Sequence, residues 1–189
     1  MVKEPRPGRV KTRLAAGIGP VAAAAWFRRE ALSAARRLED RRWQLWLAVA
    51  PDAEGRASRI WPAHLPRLPQ GPGDLGDRMG RLFRSLPPGP ALIVGADIPD
   101  LSRAHIARGF AALGHAPAAL GPATDGGYWA IGLRRTAAVP ADLFTGVRWS
   151  TPHALADTAA TLPRPIALLD SLADVDTAGD LPARAPRPR

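Results

Sequence analysis

The run at 91–95, ALIVG, constrains this chain most: it is apolar throughout and ends in glycine. A strand without a polar side has no face for water, so it belongs in a parallel sheet covered on both faces by helices. The surrounding pattern agrees. Pro20 suits a helix's first turn, and 21–38 follows with Trp26, Phe27, Ala31, Leu32 and Ala35 on one stripe. Residues 44–50, QLWLAVA, read as a strand stopped by Pro51, and a loop rich in proline and glycine runs over 61–73. Asp74 is placed to cap a helix carrying Leu75, Met79, Leu82 and Phe83, and Ser102 to cap another that ends near Leu113. Strands are expected at 118–120 and 128–133. Thr151, with Pro152 behind it, opens a helix to about Leu162, and 166–169 is a last strand. Strands separated by helices of this length predict a single-domain α/β sandwich with a mainly parallel sheet.

Composition excludes several classes. At 189 residues the chain is long enough for one domain with a real core. It has no cysteine, which rules out disulfides, thiolate metal sites and a cysteine nucleophile. No apolar run is long enough to span a bilayer, and the N-terminus lacks a signal-peptide core, so a cytoplasmic protein without membrane contact is expected. The net charge of +9 invites a nucleic-acid partner. The arginines are scattered, however, and six of them (Arg28, Arg29, Arg36, Arg37, Arg41, Arg42) read as the solvated face of one helix, so no nucleic acid is expected. The closing PARAPRPR, 182–189, reads as a disordered basic tail behind a domain at 1–181. His64, His105, His115 and His153 have no metal-ligand spacing. There is no GxSxG elbow and no GxGxxG after a strand, which argues against a serine hydrolase and a dinucleotide dehydrogenase.

The two lysines among 26 basic residues are Lys3 and Lys11, both within KEPRPGRVKTRL at 3–14. Where arginine supplies nearly all the positive charge, a retained lysine suggests that a compact ammonium is wanted. Two of them around a Pro-Gly turn suit a loop that holds a di- or triphosphate; a flexible basic N-terminus is the plainer alternative.

Ligands of open parallel sheets bind beyond the carboxyl ends of the strands, so the residues just past each strand matter. Asp97 and Asp100 follow ALIVG. GPATDGGYW, with Asp125, Gly126, Gly127 and the single tyrosine Tyr128, follows the strand at 118–120. Asp170 and then DVDTAGDL, with Asp174, Asp176 and Asp180, follow the last strand. Carboxylates gathered at one face repel one another unless a cation sits among them, and hard oxygen ligands select Mg²⁺ or Mn²⁺. Asp97 is the favoured ligand, while Asp100 and Asp180 read better as loop formers and caps. The glycine pair after Asp125 would admit a substrate close to the backbone, or else mark a plain hairpin turn.

KEPRPGRVKTRL, QGPGDLGDRM, VGADIPDL, GPATDGGYWAIGL and DVDTAGDL, in this order across nearly the whole chain, resemble a known family. They look like the GT-A-fold transferases known as arsenosugar-biosynthesis-associated glycosyltransferases, also called radical-SAM/selenodomain-associated transferases. That family is similar in fold to molybdenum-cofactor and phospholactate guanylyltransferases.

The resemblance implies a three-layer α/β/α, Rossmann-like GT-A domain whose N-terminal loop wraps nucleotide phosphates. Carried over by position, Lys3, Gly8, Lys11 and Arg13 would contact those phosphates. Asp97 would hold Mg²⁺ or Mn²⁺, with Asp176 as second ligand and Asp174 as its substitute. Asp125, Gly126, Gly127 and Tyr128 would face the acceptor. The partners implied are a nucleotide or nucleotide-sugar donor and a small-molecule acceptor. In glycosyl transfer with inversion Asp125 would deprotonate the acceptor hydroxyl, while Lys11 and Arg13 stabilise the leaving group. In nucleotidyl transfer the acceptor is a phosphate that needs no base, and Lys3 and Lys11 would neutralise the triphosphate. Glycosyl transfer is the preferred reading, with nucleotidyl transfer as the alternative and a nucleotide-binding relic of the fold as the non-enzyme one. Members of the family carry an apolar strand before the position of Lys3. Here only Met1 and Val2 stand there, so the first strand is expected to be largely missing, a loss of several kcal/mol.

Overall fold

A computed structural model of the chain describes residues 1–181, and the expected basic tail at 182–189 lies outside the described residues. Among the described residues, seven strands form two sheets. In the first, β1 (Val2–Lys3), β2 (Leu47–Ala50) and β3 (Arg67–Pro69) pair in parallel. In the second, β4 (Ala91–Val94), β6 (Tyr128–Leu133), β5 (Ala118–Pro122) and β7 (Ile166–Leu168) lie in that order. β7 is parallel to β5, but β6 is antiparallel to both β4 and β5. The turn between β5 and β6 is too short for a crossover helix, and only an antiparallel neighbour can follow so tight a connection. The first sheet is thus parallel throughout, and the second has one reversed strand.

Side-chain alternation shows how the sheets are covered. On β4, Ala91 and Ile93 pack with Met79, Leu82 and Phe83 of α4 (Leu75–Ser85). Leu92 and Val94 face Ile106 and Phe110 of α5 (Arg103–His115). On β2, Leu47 and Val49 pack against α2 (Pro20–Leu38) while Ala48 joins the α4 side. Each face therefore carries a helical layer, as the unbroken apolar reading of 91–95 required. Asp74 caps α4 reciprocally: its Oδ1 accepts from Asp77 N at 2.9 Å, and Asp77 Oδ2 accepts from Asp74 N at 3.0 Å. No helix among the described residues is long and apolar enough to cross a membrane.

The first strand is short, as expected, and is tied in by other means. The Met1 nitrogen donates to Val94 O at 2.6 Å, bringing β1 alongside β4. Gln70, almost fully buried, donates from Nε2 to Val2 O at 3.0 Å and to Ala48 O at 2.8 Å, bracing β1 against β2. Three further elements escape the sequence reading. α1 (Thr12–Ile18) follows the lysine-bearing loop, α3 (Asp52–Ala57) follows Pro51, and β3 lies inside the proline-rich stretch. The helix expected from Thr151 begins at Ala154 instead, as α6 (Ala154–Thr161).

Of the six arginines expected on one helix, Arg41 and Arg42 lie beyond its end at Leu38. Arg37 is not on a solvated face: its Nε donates to Leu101 O at 2.6 Å and one terminal nitrogen to Ile98 O at 3.3 Å and Glu30 Oε1 at 3.0 Å. It pins the loop that follows β4 onto α2.

Candidate active site

Two distant loops converge on one ammonium. Lys11 caps the start of α1 in the left-handed region (φ 47°, ψ 51°), a conformation uncommon for a residue with a side chain. Its Nζ lies 2.6 Å from Asp97 Oδ2, 2.9 Å from Asp176 Oδ1 and 3.8 Å from Asp174 Oδ2, with only 7% of the side chain exposed. Arg13, in the first turn of α1 and largely exposed, donates to Asp176 Oδ2 at 3.0 Å.

Burial alternation aims the carboxylates. Ala96 and Ile98 are buried on either side of Asp97 and turn its side chain the other way. Val175 is buried with Leu14 of α1 and Ala23 of α2, leaving Asp174 and Asp176 on the open side. Asp180 accepts from Asp176 N at 3.1 Å, Thr177 N at 2.7 Å and Thr177 Oγ1 at 2.8 Å. It serves as the cap that the sequence reading preferred for it, and it fixes the DVDT segment. Asp125 stands in the β5–β6 turn, its Oδ1 accepting from Gly127 N at 2.9 Å.

Carboxylate oxygens of Asp125, Asp174 and Asp176 lie within 4.8 Å of one another. With Asp97 they set four carboxylates against the two cations Lys11 and Arg13, in a chain that is otherwise strongly basic. The imbalance moves their ionisation. Burial first, and then the charge of Asp176, push the Asp174 carboxyl up to about 6, against the pull of Lys11. Burial would raise Asp176 too, but Lys11 and Arg13 outweigh it and hold it below the usual carboxylate range. For Lys11, burial works against the charge, and Asp97 and Asp176 overcome it, so the ammonium is held more tightly than usual.

The remaining expected positions are more dispersed. Lys3 is exposed at the end of β1, and Gly8 (φ +76°) sits in the loop with nothing close to it. Gly126 (φ +86°) is where the chain comes very close to itself: an added Cβ would lie 2.6 Å from Pro152 O. It is the protein's own backbone that approaches there. Leu155 N also donates to Gly126 O at 3.1 Å, locking the turn to the start of α6. Tyr128 points its hydroxyl inward, accepting from Thr158 Oγ1 at 3.4 Å with Met79 Sδ at 3.9 Å, and its ring packs in the core beside α4. Burial pushes its phenol well above the ordinary range. Asp174, rated below Asp176 from sequence, is as central as its neighbour. Its place two residues before Asp176 in an alternating D-V-D was the available signal.

Comparison with known proteins follows the same outline. A crystal structure of a candidate nucleotide-diphospho-sugar transferase from Desulfovibrio desulfuricans G20 superposes with a TM-score of 0.76 and 32% identity, over 93% of this chain and 80% of that one. No curated protein matches the chain. The family model described as "Uncharacterized protein conserved in bacteria (DUF2064)" matches residues 33–151, more than half of the chain. The protein is therefore a mixed α/β member of the DUF2064 family.

Proposed function

We infer that this protein is a transferase that takes a nucleotide-diphospho-sugar as donor and passes the sugar to a small acceptor, as in the arsenosugar-associated glycosyltransferases it resembles. The observation that carries this reading is the convergence of Lys11, Arg13, Asp97, Asp125, Asp174 and Asp176 beyond the strand ends, where open α/β sheets bind nucleotides. The relative from Desulfovibrio supports it through the activity its name carries.

The donor set suits Mg²⁺ or Mn²⁺. All its ligand atoms are carboxylate oxygens, three of them gathered within 4.8 Å, and burial, then the neighbouring charge of Asp176, raises Asp174. Asp174 and Asp176 would hold the ion, with Asp125 at the rim and Asp97 across the Lys11 ammonium. Such an ion, when bound, supplies neutralisation of the departing nucleoside diphosphate.

The chain's own groups carry the rest. Lys11 offers an ammonium already desolvated, and Arg13 adds a guanidinium that reaches into solvent, so both can meet phosphate oxygens as negative charge develops there. Asp125 is the most exposed of the clustered carboxylates and is oriented by Gly127 N. It is the group best placed to take the proton of an acceptor hydroxyl.

A thermal-shift panel of nucleotide-sugars and nucleoside triphosphates, each with and without Mg²⁺, tests this. At a ligand concentration 100 times its Kd, binding adds about 2.7 kcal/mol of stability. A Mg²⁺-dependent shift with one nucleotide-sugar, absent with the matching triphosphate, is expected. A shift with triphosphates alone would replace this reading with nucleotidyl transfer.

A further inference from the structure

A second groove, with a volume of about 390 Å³, shares no residue with the carboxylate cluster. One wall is Pro5 and Pro7 of the loop between β1 and Lys11, which present rigid rings and no backbone donors. The other is α2, through positions 21, 24, 25, 28 and 29. This spacing (i, i+3, i+4, i+7, i+8) makes them one stripe of the helix. Ala24 and Ala25 are too small to fill the space, so the stripe is hollow at its centre. Val21 at one end is 70% exposed, an apolar side chain left in water.

Charge in the groove has one sign. Arg28 and Arg29 stand at the far end of the stripe, both exposed. Among the described residues neither side chain makes a hydrogen bond or an ion pair. No carboxylate lines the groove, and the first turn of α2 contains no acidic residue. The positive end of this 19-residue helix, beside Val21, thus carries no acidic side chain of its own.

We propose that this groove binds an organic phosphate, with its phosphoryl group on Arg28 and Arg29 and a compact apolar ring or chain laid over Pro5, Pro7, Ala25 and Val21. Two guanidinium forks match phosphoryl oxygens in geometry as well as charge. The volume falls within the range of small-molecule sites, roughly 300–1,000 Å³. Because Pro5 and Pro7 belong to the loop that delivers Lys11, an occupant would also stiffen that loop. The site does not depend on the transferase reading.

Calorimetry on the full chain tests the proposal, with phenyl phosphate as the probe and inorganic phosphate and phosphatidylglycerol vesicles as comparisons, all at physiological salt. Phenyl phosphate should bind at least tenfold more tightly than inorganic phosphate. Binding should disappear in the Arg28→Ala/Arg29→Ala double variant and in Val21→Asp, all surface changes, and persist in Arg13→Ala. Equal affinity for the two phosphates would overturn the proposal, as would binding that survives the double variant or binding lost in Arg13→Ala. Association with vesicles alone would assign the patch to a membrane surface, and no binding at all would likewise end the proposal. Nucleotide-sugar binding, tested separately, is expected to need Arg13, so the two readings fail independently.

Discussion

Lys11 Nζ lies 2.6 Å from Asp97 Oδ2, joining the cap of α1 to the loop after β4 through a side chain almost entirely removed from water. The same ammonium also serves Asp176 at 2.9 Å. It acts as the counter-ion of a cluster whose parts come from widely separated stretches of the chain.

Removing that ammonium should leave three carboxylates facing one another. Lys11→Met is expected to lose about 1–3 kcal/mol, below the range for a fully buried pair because the carboxylates remain partly hydrated. Mg²⁺ should then raise the Tm of the variant more than that of the wild type, since an added cation takes over the missing charge. Paired melting curves with Mg²⁺ and with chelator measure this, and an equal response of the two proteins would contradict it.

The raised carboxyl of Asp174 gives a pH dependence with a definite sign. Its folded value, about 6, lies above the ordinary 3.8, so the native state binds the proton more tightly than the unfolded chain does. Its contribution is complete below about pH 4 and is lost as pH rises through 6, an effect of about 1–2 kcal/mol once water access is allowed for. In metal-free buffer, wild type should lose stability between pH 4.5 and 7.5 relative to Asp174→Asn. Denaturant midpoints of the two proteins at both pH values measure the difference.

Two glycines with similar backbone angles should respond differently to alanine. Gly8→Ala meets open space and bears only the cost of a left-handed conformation, about 1 kcal/mol. Gly126→Ala adds a Cβ 2.6 Å from Pro152 O, backbone that cannot move aside cheaply, and should lose about 3 kcal/mol or more. Equal losses in urea would refute the close packing of the β5–β6 turn on Pro152.

Tyr128→Phe separates a core tyrosine from one that touches substrate. The hydroxyl meets Thr158, itself fully buried, so its removal should cost about 1 kcal/mol of stability. Turnover and acceptor KM should stay within about twofold of wild type. A tenfold rise in KM without loss of stability would return the hydroxyl to the acceptor site.

What could be read from the sequence was whatever short-range rules decide. The cap at Asp74, the doubly covered 91–95 strand and the apolar stripe of α2 each follow from spacing within a few residues. β3 was hidden because three residues inside a proline-rich stretch carry no period, and Pro69 even lacks a donor. α1 is seven residues long and contains Gly17, too little pattern to register. The strand-end rule led to Asp97, Asp125 and Asp176. The ion pairs of Lys11 did not follow, because its contact with Asp176 spans 165 positions and depends on tertiary packing alone. The glycine pair admitted two readings, and only packing reveals that Pro152 fills the space beside Gly126.

Val175, wedged beneath α1 with Leu14, has a mechanical consequence. Lys11 and Arg13 ride on α1, while Asp174 and Asp176 ride on the segment that Val175 anchors to it, so these four groups form one small mounted unit. Asp97 rides instead on the loop after β4, which Arg37 holds to the far end of α2 through Ile98 and Leu101. Any opening of the N-terminal loop would therefore stretch the Lys11–Asp97 contact while carrying Lys11 and Asp176 along together. The seam of this site runs between a lysine and a single aspartate.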